Sequence, residues 1–112
     1  METLLTKIQE YLKMDTEIPF GEFTEYYQQV MDFLQTNYET MDNDGLMAAK
    51  YILSIVSGNS KSRALRKGSE SKKYKKMGEK ASFWSEAINF RLLKEGMTQQ
   101  EIDESIEGRF LN

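Results

Sequence analysis

The chain contains no cysteine and no histidine. That excludes disulfides, thiol nucleophiles and thiol redox chemistry, Cys/His zinc sites, the Ser-His-Asp triad and any imidazole switch near neutral pH. Proline occurs once, at Pro19, and valine only at Val30 and Val56, which disfavours a strand-rich architecture. Long apolar runs are missing too. The longest, Leu46 to Val56, is interrupted by Lys50 and Ser54 and falls well short of the roughly 20 residues that span a bilayer. Met1 to Met14 carries Glu2, Lys7, Glu10 and Lys13 among its apolar residues, unlike a signal peptide. No Asn-x-Ser/Thr glycosylation acceptor occurs. These absences together predict a cytoplasmic protein with no membrane partner.

What is present suits a folded helical domain. The 112 residues are one domain's worth of chain, and 39% hydrophobic with 29% charged residues is a folding composition. Leu, Met, Ala, Glu and Lys dominate, which favours helix. Thr3 is expected to cap a helix over about 3–13, with Leu4, Leu5, Ile8 and Leu12 on one side. After a connection from Asp15 to Gly21, a second helix over 22–37 sets Phe23, Tyr26 or Tyr27, Val30 and Phe33 or Leu34 on a broad apolar face, with Tyr38 continuing it. Asp44 is the expected N-cap of a third helix over 45–56, apolar almost all round and so the most buried element.

Residues 57–71 hold Gly58, Gly68 and five serines, and read as a flexible loop with room for one turn around Arg63 to Lys67. A long helix over 71–95 follows, with Tyr74, Met77, Ala81, Trp84, Ile88 and Leu92 at three- and four-residue steps, ended by Gly96. Trp84 falls on that apolar stripe and is expected in the core. Thr98 to Glu101 is a capping box opening a last helix over 98–107, which Gly108 ends. The expected fold is therefore all-α, a compact single-domain bundle of about five helices.

Charge is distributed unevenly. Residues 1–60 carry ten acidic and three basic side chains, a net of −7, and residues 81–112 a net of −3. Residues 61–80 carry nine basic side chains, Lys61, Arg63, Arg66, Lys67, Lys72, Lys73, Lys75, Lys76 and Lys80, against two glutamates, a net of +7. Such a cluster suits phosphate binding, in which cations displace the counterions condensed on nucleic acid. Lys72, Lys73, Lys75 and Lys76 avoid the side of the helix marked by Tyr74, Met77 and Ala81, and they oppose the helix macrodipole at its N-terminus. Tyr74 lies among them, available to stack on a base or to begin the core stripe. Competing explanations are a solvated lysine face, pairing with acidic residues such as Glu17, Glu22, Asp42 and Asp44 of the same chain or a second copy, and an acidic protein or anionic surface as partner.

The segment Leu92 to Ile102 resembles the first helix and turn of a helix-turn-helix DNA reader of the phage-repressor type. The resemblance covers about a dozen residues and implies a following recognition helix in the major groove, for which only Gly108 to Asn112 remain. Asp42-Asn43-Asp44-Gly45 resembles the centre of an EF-hand loop, but Thr40 and Tyr51 stand where the first and twelfth ligands belong. No phosphate-binding Gly-x-x-x-x-Gly-Lys or Gly-x-Gly-x-x-Gly motif occurs. Glu22 with Glu25 and Asp103 with Glu107 share helix faces, as solvated pairs commonly do, so no enzyme, metal or cofactor is expected. Phe83 and Phe90 point away from the main stripe of the long helix and, with Leu93, form the expected protein or homo-oligomer interface if left uncovered. The expected function is a small non-enzymatic binding module that holds nucleic acid through 61–80, with a protein-interaction module as the alternative. Its size and lysine-rich segment suit a bacterial or mobile-element accessory protein.

Overall fold

The computed structural model describes residues 1–111. It is all-α, with no strand among the described residues. The described residues form five α-helices: α1 (Glu2–Leu12), α2 (Phe20–Asn37), α3 (Asn43–Ala64), α4 (Ser71–Lys94) and α5 (Gln99–Ile106). The chain divides into two compact units, Met1–Met41 and Asp42–Asn112.

In the first unit α1 packs its Leu4 and Ile8 side against α2, which buries Phe23, Tyr26, Tyr27, Val30, Met31 and Leu34. The Tyr26 hydroxyl donates to the Leu4 carbonyl at 2.8 Å, and the Tyr11 ring meets Tyr26 edge-on at 5.5 Å. Thr3 does not cap α1. The helix starts one residue earlier, where the Met1 carbonyl accepts from the Leu5 amide, so Thr3 lies inside the first turn. α2 likewise starts before Glu22, because Pro19 sits at its N-cap with extended backbone and its carbonyl accepts from the Phe23 amide. A 3₁₀ turn, Tyr38–Thr40, closes this unit.

The second unit is organised by an antiparallel hairpin of α3 and α4. Asp42, two residues before the expected Asp44, caps α3 by accepting from the Gly45 amide at 2.8 Å. α3 is the most heavily buried helix, but it runs eight residues past the expected end at Val56. Ser57 to Ala64 is helix, and the loop contracts to Leu65–Glu70. The reason is tertiary. The stripe Leu46, Ala49, Leu53, Val56 continues at helical spacing through Ser60 and Arg63, all buried. Gly58 and Asn59, which signal a break, fall on the solvent side and cost only propensity.

Small residues let the two helices approach closely. A Cβ placed on Gly78 would lie 3.2 Å from the Ser60 Cβ and 3.3 Å from the Lys61 Cγ. The Ser57 and Ser82 hydroxyls are 2.7 Å apart, and the Lys50 ammonium donates to the Ser85 hydroxyl at 3.4 Å. Below this seam, Ile88 and Leu92 are fully buried. Trp84, expected in the core, is only half-buried, its ring edge-on to Phe83.

The turn from α4 to α5 follows the expected local chemistry. Gly96 takes a φ of +107°, open only to glycine without strain. The Met97 amide reaches the Leu92 carbonyl and the Gly96 amide the Leu93 carbonyl, the paired bonds of a Schellman ending. The Thr98 hydroxyl then accepts from the Glu101 amide while the Glu101 carboxylate accepts from the Thr98 amide. A reciprocal amide pair, Asn89 with Gln99 at 2.8 and 3.1 Å, joins α4 to α5. Gly108 does not end the helical path. A π-helical turn, Glu107–Leu111, continues it, stacking Phe110 on Tyr51 at 4.8 Å and pairing Arg109 with Asp44 at 2.7 Å.

Candidate nucleic-acid interface

The basic segment occupies one end of the α3–α4 hairpin. Lys61 lies on the last turns of α3, Arg66 and Lys67 in the connecting loop, and Lys72, Lys73, Lys75, Lys76 and Lys80 on the first turns of α4. All eight are exposed. They come together because α3 continues to Ala64 before the chain turns, so its cationic end and the cationic start of α4 share one tip. The Ser71 hydroxyl ties that tip by donating to the Ala64 carbonyl, one of the acceptors that α3 leaves open at its end. Glu70 takes the N-cap position of α4 without a side-chain bond, so the positive end of the helix dipole adds to the lysine field.

Arg63, counted with the expected phosphate contacts, stands apart from them. It is buried, 6% exposed, because its position on α3 prolongs the inward stripe. Its guanidinium donates to the Tyr74 hydroxyl at 3.1 Å and lies 5.5 Å from that ring's centroid. Tyr74 is buried as well, so its ring is not available to stack on a base. Both residues belong to the packing beneath the tip.

Phe83, Phe90 and Leu93 are exposed, the two rings at 66% and 68%. Phe83 and Phe90 sit two turns apart on the outward face of α4, which Lys72 and Lys76 share towards its N-terminus. Beside Phe90 lies a shallow depression of about 420 Å³, lined by Lys50, Glu86, Asn89, Phe90, Leu93 and Gln99.

The remaining motifs resolve into structure. Glu22 and Glu25 border a depression in the first unit with Tyr11, whose hydroxyl is pushed up to about 12 by burial and by its hydrogen bond to Glu22. A phenol that holds its proton so firmly is a poor acid–base catalyst near neutral pH. Asp42 and Asp44, at the EF-hand-like turn, are taken up by the cap and by Arg109. Among the described residues no three carboxylates gather as a metal site would require, and no helix is long and apolar enough to cross a membrane.

The charge run from Lys61 to Lys80 contains the eight exposed cations of the tip together with the buried Arg63. Missed were the small residues that shape its support, Ser57, Ser60 and Gly78. Their signal is the unbroken three- and four-residue step from Val56 through Ser60 to Arg63. No protein family model, curated protein or solved structure matches this chain.

Proposed function

We propose that the protein is a non-enzymatic nucleic-acid-binding module that grips the phosphate backbone with the tip of the α3–α4 hairpin. The observation that carries this reading is the exposure of eight cations, Lys61, Arg66, Lys67, Lys72, Lys73, Lys75, Lys76 and Lys80, on one end of the α3–α4 pair in an otherwise acidic chain. Lysines outnumber arginines there, and lysine engages phosphate as a point charge without the paired geometry that reads a guanine edge. Binding is therefore expected to show little base preference. The net −7 of residues 1–60 confines the contact to the tip, since nucleic acid is repelled from acidic surface.

Fluorescence anisotropy of labelled single- and double-stranded DNA and RNA tests the reading. Four to six phosphate contacts predict a loss of affinity of roughly 10²- to 10³-fold between about 50 and 200 mM salt. Replacing Lys72, Lys73, Lys75 and Lys76 together by Glu should abolish binding while leaving the helical circular dichroism intact. Absence of binding to all four nucleic acids at the lowest salt overturns the reading.

A further inference from the structure

The outward face of α4 changes character along its length. Its first turns are basic, and from Glu79 onward it carries Glu79, Phe83, Glu86, Phe90 and Lys94, all exposed. Phe83 and Phe90 are seven residues apart, with Glu79 four residues before the first and Lys94 four after the second. The pattern is symmetric in its two rings and antisymmetric in its outer charges, Glu79 and Lys94, with Glu86 near its centre. A two-fold axis running between two antiparallel copies of the helix, level with Glu86 and Ala87, sets Phe83 of each against Phe90 of the other and Glu79 against Lys94.

We infer that this face binds a second copy of the chain, α4 against α4, in an antiparallel homodimer. Self-complementarity under a two-fold axis is the requirement of an isologous interface, and the rings and outer charges of this face meet it, while the two Glu86 side chains near the axis oppose association in either direction. Each Phe83 lies against Phe90 of the other copy, and the depression beside Phe90 receives that ring. Two Glu79–Lys94 pairs flank the four rings. Charge also selects the direction. A parallel pairing would oppose Glu79 to Glu79 and Lys94 to Lys94, and would bring the two +7 segments together. The antiparallel arrangement places the two basic tips at opposite ends, about 45 Å apart at 1.5 Å per helical residue. Nucleic acid is a poorer occupant of this stretch, because Glu79 and Glu86 flank the rings with charge of the wrong sign. The inference stands whether or not the tips bind phosphate.

Sedimentation equilibrium of the full chain, from micromolar to millimolar concentration, is the test. A monomer–dimer equilibrium with a dissociation constant on the order of micromolar is expected for so small an apolar contact. Phe83→Ser or Phe90→Ser should weaken it by at least about tenfold. Both rings are largely exposed, so thermal melting of these variants should match the parent. Glu79→Lys alone and Lys94→Glu alone should each weaken association by roughly three- to tenfold, and the two together in one chain should restore it. Only the antiparallel register predicts that rescue. A monomer at every concentration overturns the inference, as do a dimer indifferent to Phe83→Ser and a double charge swap no better than the single ones. Loss of single-stranded nucleic-acid binding in Phe83→Ser with unchanged sedimentation would assign the face to base stacking and overturn it equally.

Discussion

The guanidinium of Arg63 donates to the Tyr74 hydroxyl at 3.1 Å, joining the last turn of α3 to the first of α4 beneath a surface of exposed lysines. A charge this deeply buried acts through its partners, and removing one leaves it poorly compensated. Tyr74→Phe deletes the acceptor while keeping the ring, and should cost about 1–3 kcal/mol of stability in urea denaturation. Arg63→Gln should be destabilising by a similar amount. Below its melting transition, however, the Arg63→Gln variant should bind nucleic acid with an unchanged salt slope, whereas Lys72→Gln should lower the slope by about one.

Gly58 and Gly78 are both helical and differ in what surrounds them. Nothing lies within 4 Å of a Cβ at Gly58, whereas at Gly78 one would press on Ser60 and Lys61 at 3.2 and 3.3 Å. Gly58→Ala should therefore raise stability by about 0.5–1 kcal/mol through helix propensity and a less flexible unfolded chain. At Gly78 the same gain is outweighed by overpacking, because Ser60 is fully buried on a neighbouring helix and cannot retreat. Gly78→Ala should lower stability by about 1 kcal/mol, so that the two variants melt on opposite sides of the parent.

The Thr98–Glu101 cap should make part of the stability pH-dependent. The bonds from the Thr98 amide and side chain hold the Glu101 carboxyl below its ordinary value of 4.5. A carboxyl whose folded pKa is lowered binds fewer protons when folded. Its contribution is complete above 4.5 and is lost as pH falls through the lower folded value. Glu101→Gln keeps a side chain able to accept from the Thr98 amide but cannot titrate there. The difference in melting temperature between parent and Glu101→Gln should therefore shrink or reverse on acidification from pH 5 to pH 3, roughly the range below the unfolded carboxylate pKa. A constant difference would mean that the cap does not respond to acid.

These residues also show which parts of the fold could be read from sequence. The α4–α5 turn was legible to within a residue because Gly96, Thr98 and Glu101 act through local backbone chemistry, which a linear sequence displays. The end of α3 was not. Ser57, Gly58, Ser60 and Ser62 look like a loop by propensity, yet Ser57 and Ser60 are small because α4 passes against them at Gly78 and Ser82. That requirement comes from a residue some twenty positions away, and its one trace in the sequence is the three- and four-residue step from Val56 through Ser60 to Arg63. In the candidate interface the lysines were evident as a charge run. Arg63 differs from them only in falling on the buried side of α3, which continues past Val56 to Ala64.

The short connection over Leu65–Glu70 bears on the order of events in folding. It allows α3 and α4 to meet after closure of a six-residue loop, so the contacts between Ser57 and Ser82 and between Ser60 and Gly78 form at modest entropic cost. Native structure in the second unit is expected to nucleate at this hairpin, with α5 and the final π-helical turn condensing onto it later. If so, doubling the loop with Gly and Ser should slow refolding by about threefold, the equivalent of roughly 0.6 kcal/mol of added closure entropy, with little change in the unfolding rate. The cationic loop would then have a kinetic role quite separate from any ligand, as the link that sets how quickly the hairpin closes.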